Sequence, residues 1–480
     1  MLTIAFDNSY ARDLDGMYLP VQGAVAPSPS LVWLNEGLAA DLGLDADALR
    51  SPAGVAMLAG SAMPAGATPL AMAYAGHQFG GFSPQLGDGR ALLIGEVIDS
   101  ARQRRDIHLK GSGRTPFSRG GDGKAALGPV LREVLFGEAL HALGIPTTRA
   151  LAATATGETV WRESPLPGAV LARVAASHLR VGTFQFFYAR QETARLARLT
   201  EYAIARHDPD LIGRPDRVLA FFQAVVTRQM ALMAQWMAVG FVHGVMNTDN
   251  CAISGESIDF GPCAFVDAHD PAAVFSSIDR QGRYAYGNQP LLARWNLARL
   301  GETLLGQIAP DDPDGALRQV QATIEAAEGL YAGQRRLRFA AKLGLVVAED
   351  AMIDGFLDML TAQEADFTQA FRLLARAVEG DQAPLAAHLN GDPRLEGWLA
   401  GWRRALTPGA AARMDAVNPV YIARNHRVEE ALAATQQGEM APFERLLAAL
   451  TDPFVRRAGF EDLEGPAPLG AAPHVTYCGT

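Results

Sequence analysis

Asp249, Asn250 and Asp259 stand close together, in HGVMNTDN at His243–Asn250 and IDFG at Ile258–Gly261. Carboxylate and amide oxygens are the ligands a hard cation such as Mg2+ takes, and Mg2+ commonly brings substrate phosphates with it. A carboxylate beside such a pair can also take the proton of an attacking hydroxyl. Asp-Asn pairs are common as turn formers, so the pair alone says little. The ordered set of a long apolar helix, HG, TDN and IDFG is much rarer. It points to metal-assisted phosphate chemistry.

The elements that must position these groups follow from pattern. An apolar helical period over Arg217–Val239 runs straight into the loop, and a short strand must carry Asp259. The order resembles the catalytic loop of protein kinases and of aminoglycoside-type phosphotransferases. There a His-X-Asp opens the loop, an Asn seven residues after the His binds metal, and Asp-Phe-Gly follows. Here Asn250 and Asp259-Phe260-Gly261 keep that spacing. The usual base position holds Val245, and the nearby carboxylate is Asp249.

Upstream, Tyr74–Arg90 is glycine-rich and leads into the apolar run Ala91–Val97. Such a turn lets backbone amides approach phosphates. Gly87, Gly89 and Arg90 form a weak motif alone and gain weight as phosphate cover ahead of Lys110. DIHLK alternates as a strand ending in Lys110, and a second loop, Gly111–Gly128, carries Arg114, Arg119, Asp122 and Lys124. Pro129–Leu143 reads as a helix with Gly144-Ile145-Pro146 at its end. Lys110 and Glu133 could be solvated surface. Together they suggest the Lys–Glu pair that aims a lysine at ATP phosphates. Glu138 competes for that role about 140° round the same helix, and amphipathicity leaves the choice open. Residues 148–162 and 168–175 read as two strands. Arg173 and Arg180 could pair at the surface or grip phosphate bidentately.

Residues 1–70 are proline-rich, with one short helix near Leu31–Leu42, and read as an extension wrapped on the body. Beyond about 180 the pattern is helical, near 190–206, 215–239, 290–308, 313–345, 350–378 and 426–450. The tail, Pro466–Thr480, reads as a loose surface segment.

The chain has 480 residues, 49% hydrophobic and 20% charged, enough for a large soluble core. A net charge of −10 provides no global field for nucleic acid. No run is long enough to cross a bilayer, and the N-terminus has no signal pattern. These features predict a cytoplasmic protein with no nucleic-acid or membrane partner; a monomer is the expectation, though nothing in composition or charge fixes the oligomeric state. Cys251, Cys263 and Cys478 make no CxxC pair, so zinc is not expected.

On GHQFGGFSPQLGDGRALLIGE (76–96), LKGSGRTPFSRGGDGKAALGPVLREVLFGEALHALGIPTTRAL (109–151), HGVMNTDN and IDFGP, the chain resembles the selenoprotein-O family over nearly its whole length. Cys478, third from the end, fits too; in several eukaryotic members that position is selenocysteine. The resemblance implies an α+β, two-lobed kinase-like fold: extension 1–70, small lobe 71–180, helical large lobe 181–460, tail 461–480. It implies ATP bound end for end, with the γ-phosphate buried, and transfer of AMP to Ser, Thr or Tyr hydroxyls of protein substrates with release of pyrophosphate. It assigns nucleotide binding to Gly87, Gly89, Arg90, Lys110, Asp122, Gly123, Arg173, Arg180 and Asp259, and pairs Glu133 with Lys110. It assigns Mg2+, or Mn2+ in its place, to Asn250 and Asp259, and the general base to Asp249. Some bacterial members bridge the terminal cysteine to one shortly after the DFG-like motif. Here Phe275-Ser276-Ser277 stands there instead. Two other readings compete: a phosphotransferase moving the γ-phosphate, and a nucleotide-binding scaffold without catalysis.

Overall fold

The computed structural model describes residues 3–468, 470–472 and 474–476; Cys478 lies outside them. In chain order the strands are β1 (Tyr18–Pro20), β2 (Ser30–Leu34), β3 (Leu70–Met72), β4 (Gly76–Gln78), β5 (Gly81–Ser83), β6 (Ala91–Ile98), β7 (Arg104–Lys110), β8 (Ala125–Ala126), β9 (Arg149–Trp161), β10 (Pro165–Ala175), β11 (Phe241–Val242) and β12 (Ala264–Phe265). The main sheet is antiparallel in the order β1-β3-β6-β7-β10-β9-β2, with β8 on β10. β4–β5 and β11–β12 form two small separate ladders.

β6 and β7 are adjacent, as their sequences predict, and Lys110 sits opposite Ala91 on one side and Leu171 on the other. Both faces of the sheet are covered here, so β6 is a near-continuous apolar run, while in the alternating β7 the polar Asp106, His108 and Lys110 are buried as well as Ile107 and Leu109. On one face of the sheet the Leu127–Ala142 helix packs against β9 and β10, with Leu131, Val134 and Leu135 fully buried. The other cover comes from residues 1–70: Leu38, Leu42, Leu49 and Leu58 share a core cluster with Leu92, Ile94, Ile107 and Leu109.

The N-terminal stretch is therefore more regular than its prolines suggest. The expected helix over Leu31–Leu42 is strand β2 followed by a helix at Glu36–Asp41, which Asn35 caps by accepting from the Leu38 amide. Backbone pairing of β2 with β9 overrode the local helical pattern.

The Leu127–Ala142 helix begins two residues before Pro129. That leaves the proline in the first turn, where its missing N–H has no cost. Gly144, at φ 73°, stops the helix. The Arg217–Val239 helix matches its apolar pattern and ends at Gly240, also left-handed. The expected 350–378 run is two helices, Asp350–Ala362 and Phe367–Val378. Asp366 breaks it by capping the second helix through the Gln369 amide while pairing with Arg424. A helix at Val181–Ala189 was not apparent from pattern. The tail is not loose throughout: Thr476 is buried and bonds the Pro262 and Phe275 carbonyls at 3.1 and 3.0 Å. No helix is long and apolar enough to cross a membrane among the described residues.

Candidate active site

The sheet, the Leu127–Ala142 helix and the 243–262 loops enclose a cleft of about 740 Å³. Gly87, Gly89, Arg90, Lys110, Asp122, Gly123, Glu133, Arg173, Arg180, Asp249, Asn250 and Asp259 all line it. Eight arginines and lysines face five carboxylates around its wall. The cleft is thus locally basic in an acidic chain, which favours a polyanionic ligand.

At its floor three cations converge on one carboxylate. Lys110 Nζ and Arg173 Nη1 donate to Asp259 Oδ1 at 2.6 and 2.7 Å, and Arg180 Nη1 donates to Oδ2 at 3.0 Å. Burial alone would push the Asp259 carboxyl up; Lys110, Arg173 and Arg180 hold it well below the usual carboxylate range. Its φ of 66° is left-handed, a conformation non-glycine residues adopt at a cost and often at functional sites.

Lys110 also pairs with Glu133. Glu138 turns the other way. It accepts from Arg149 at 2.6 and 2.8 Å, from the Ala150 amide at 3.1 Å and from Asn35 at 3.0 Å. That settles which helix carboxylate faces the cleft.

Asp249 lies in a different environment. Gln78 Nε2 donates to its Oδ2 at 3.2 Å, while Oδ1 is buried with no partner among the described residues. Burial pushes its carboxyl up to about 6, against the pull of Arg180. Arg180 also donates to the Asp249 carbonyl at 2.7 Å and lies over the Tyr74 ring at 4.5 Å. Asn250 Nδ2 bonds the Val245 carbonyl at 3.0 Å, which fixes its amide and leaves Oδ1 as its acceptor. His243 is structural: Nε2 bonds the Ile258 carbonyl at 2.8 Å and the ring stacks on Trp236, tying the loop to the chain just before Asp259.

The glycine loop takes its shape from tight packing. A Cβ on Gly87 would meet the Phe117 ring at 2.3 Å, and Gly87 is left-handed at φ 69°. Thr115 Oγ1 donates to the Asp88 carbonyl at 2.6 Å, laying the second glycine loop on the first. Asp122 sits at the rim, half-exposed and paired with Arg162 at 2.8 Å.

Asn250 and Asp259 supply oxygen donors suited to Mg2+ or Mn2+. Among the described residues no group of three His, Cys, Asp or Glu could hold a metal alone, so substrate phosphates and water would complete the shell.

Three residues that pattern did not single out act here. Gln78 touches Asp249, and Tyr74 backs Arg180. Gly76 leaves the space Asp249 fills. The signal for Gly76 and Gln78 was the unabsorbed GHQ of the first glycine stretch. It lies in β4, whose His77 amide bonds Thr248 Oγ1 at 2.7 Å, and the Phe79 amide just after the strand bonds Asn247 Oδ1 at 3.3 Å.

A cationic floor, a glycine-rich loop and two carboxylates of opposite character are together able to transfer a group from a phosphorylated substrate. A family model described as "Protein adenylyltransferase SelO" matches residues 1–451. The chain belongs to that family. It is 59% identical over 484 positions to a "Protein nucleotidyltransferase YdiU" of Cereibacter sphaeroides, with 100% of both chains covered. A protein of the same name from a Mycobacterium species is 53% identical, again with 100% of both covered. One from Chromobacterium violaceum is 55% identical, covering 96% of this chain and 99% of its own.

Proposed function

We propose that this chain transfers AMP from ATP to hydroxyl groups of protein substrates, releasing pyrophosphate. The observation that carries the mechanism is the opposite tuning of Asp249 and Asp259. Two carboxylates in one site whose environments drive their protonation apart have different roles. Asp259, ionised by three cations, suits a ligand beside phosphates. Asp249, with its carboxyl near 6, suits a base working close to neutral pH.

In this reading the β- and γ-phosphates lie against Lys110, Arg173 and Arg180, under the Gly87–Arg90 loop. The acceptor oxygen attacks the α-phosphorus as its proton passes to Asp249 Oδ1 or Oδ2. The bond from the α-phosphorus to the bridging oxygen breaks, and pyrophosphate leaves with charge that the arginines and Lys110 stabilise. Mg2+ or Mn2+ held by Asn250 and Asp259 would neutralise phosphate charge. The sheet with its 71–180 elements would act as a kinase-like small lobe, and the 181–460 helices as the large lobe. Glu133 keeps Lys110 extended toward the phosphates.

Incubation with a protein acceptor and ATP labelled separately at α and γ tests it. Label from the α position alone should reach protein, with a mass gain of one AMP. Label from the γ position on the acceptor would instead mark a phosphotransferase.

A further inference from the structure

Arg173 does not reach Asp259 unaided. Its Nε donates to His108 Nδ1 at 3.2 Å, while its Nη1 donates to Asp259. His108 lies opposite Arg173 across the β7–β10 ladder. The other ring nitrogen, Nε2, is 3.1 Å from Asp88 Oδ2, which also accepts the Met72 amide at 3.0 Å. His108 and Asp88 are almost wholly buried, as is Arg173. The His178 ring, itself bonded to Asp106 at 3.0 Å, stacks on His108 at 4.2 Å and fixes the plane of the imidazole.

An arginine Nε–H can only donate. His108 Nδ1 must therefore carry a lone pair, and the ring proton must sit on Nε2, facing the Asp88 carboxylate. Burial lowers the His108 value, with Arg173 adding to the effect and Asp88 opposing it, in keeping with a neutral ring. Asp88 is the residue between Gly87 and Gly89, so one side chain ties the glycine cover to the cationic floor.

We propose that His108, held in one tautomer by Asp88, is a positioning residue that fixes the Arg173 guanidinium so that it meets the nucleotide phosphates in a single orientation. The chain of contacts is Asp88 to His108 to Arg173 to Asp259. With Nε and Nη1 engaged, the guanidinium cannot swing. Its remaining donors then meet phosphate without ordering at the moment of reaction. This rests on the reading that Arg173 contacts the nucleotide.

The test compares His108→Phe, His108→Asn, Arg173→Ala and the double variant of His108→Phe with Arg173→Ala. His108→Phe keeps a ring against His178 and removes the acceptor. It should weaken Mg-ATP binding and turnover by ~10–100-fold, the usual loss when a group that orients a ligand-holding side chain is removed, with the melting temperature of the variant recorded alongside. His108→Asn places Oδ1 near the former Nδ1 and should recover most of that loss. In the Arg173→Ala background His108→Phe should cost nothing more, because the group it positions is gone. Losses that multiply in the double variant, or His108→Phe at wild-type binding and turnover, would overturn the relay. Wild-type Mg-ATP binding and transfer in Arg173→Ala would sink the site reading and the relay together. Should His108→Phe not fold, nitrogen-15 NMR of histidine-labelled wild-type protein decides. An unprotonated Nδ1 at pH 7 is expected, and a protonated Nδ1 rules the relay out.

Discussion

A Cβ on Gly76 would lie 2.4 Å from Asp249 Oδ1 and 2.9 Å from its Cβ. No side chain fits there without moving the carboxylate, and Gly182 also approaches closely, since a Cβ on it would lie 3.3 Å from the Asp249 Cα. The backbone of Gly76 is not left-handed, so alanine is permitted by its own torsions and forbidden only by its neighbour. Gly76→Ala should therefore shift Asp249 and little else. A displacement near 1 Å in a reacting group can cost ~10²-fold. Turnover should drop on that scale while Mg-ATP affinity by calorimetry stays near wild type. Equal loss of both would mean that the β4–β5 hairpin shapes the nucleotide site instead.

Asp249→Ala and Asp259→Ala should fail differently. Removing a general base typically costs ~10²–10⁴ in rate, and Asp249→Ala should still bind Mg-ATP almost normally. Asp259→Ala leaves Lys110, Arg173 and Arg180 without their shared anion and removes one of the two proposed metal ligands. Its metal-dependent ATP binding should weaken together with catalysis. Titration and transfer assays on both variants separate the roles; full turnover in Asp249→Ala would move the base elsewhere.

The raised carboxyl of Asp249 also predicts a stability cost. The folded value, about 6, lies above the unfolded carboxyl value near 4. Protonated Asp249 is therefore favoured by folding, and that advantage is lost as pH rises from about 4 to about 6. Above this window the buried charge destabilises the metal-free protein by roughly 2–3 kcal/mol. Asp249→Asn should melt about 2–3 °C higher than wild type at pH 8, with little difference at pH 4. Melting curves with chelator at both pH values check this. A gain that is the same at both would mean the effect is not electrostatic.

The two helix carboxylates should separate function from fold. Lys110→Ala should abolish most productive ATP use with little loss of stability. Glu133→Gln should mimic it in part, because it loosens the partner that extends Lys110. Glu138→Gln should leave turnover per folded molecule intact and cost ~1–3 kcal/mol of stability, since it weakens a buried pair with Arg149. Chemical denaturation beside a transfer assay distinguishes them; the reverse pattern would exchange their roles.

Much of the site was legible because its chemistry is written in short spacings. Asp249, Asn250 and Asp259 lie in one loop and the next turn, and each glycine of LGDGR sits where backbone must pass close to Phe117. The relay through His108 was not legible. DIHLK reads as an alternating strand, and alternation cannot tell a core histidine from one bonded to an arginine on the next strand. Gln78 was missed for the same reason, as its partner is 171 positions away.

The sequence by itself determined the strands β6 and β7, the Arg217–Val239 helix and the family to which the chain belongs. Those depend on local periodicity and on motifs a few residues long. Only the tertiary structure decided that Glu133 and not Glu138 faces the cleft, because both lie on one buried helix and their partners, Lys110 and Arg149, come from different strands. It also decided the unequal fates of Asp249 and Asp259. Both are aspartates in the same short stretch. One meets three cations brought from β7, from β10 and from the turn after it, and the other is enclosed by β4 and the Val181–Ala189 helix with almost nothing to neutralise it. Charge state follows from what surrounds a group in space, and spacing along the chain does not carry that information.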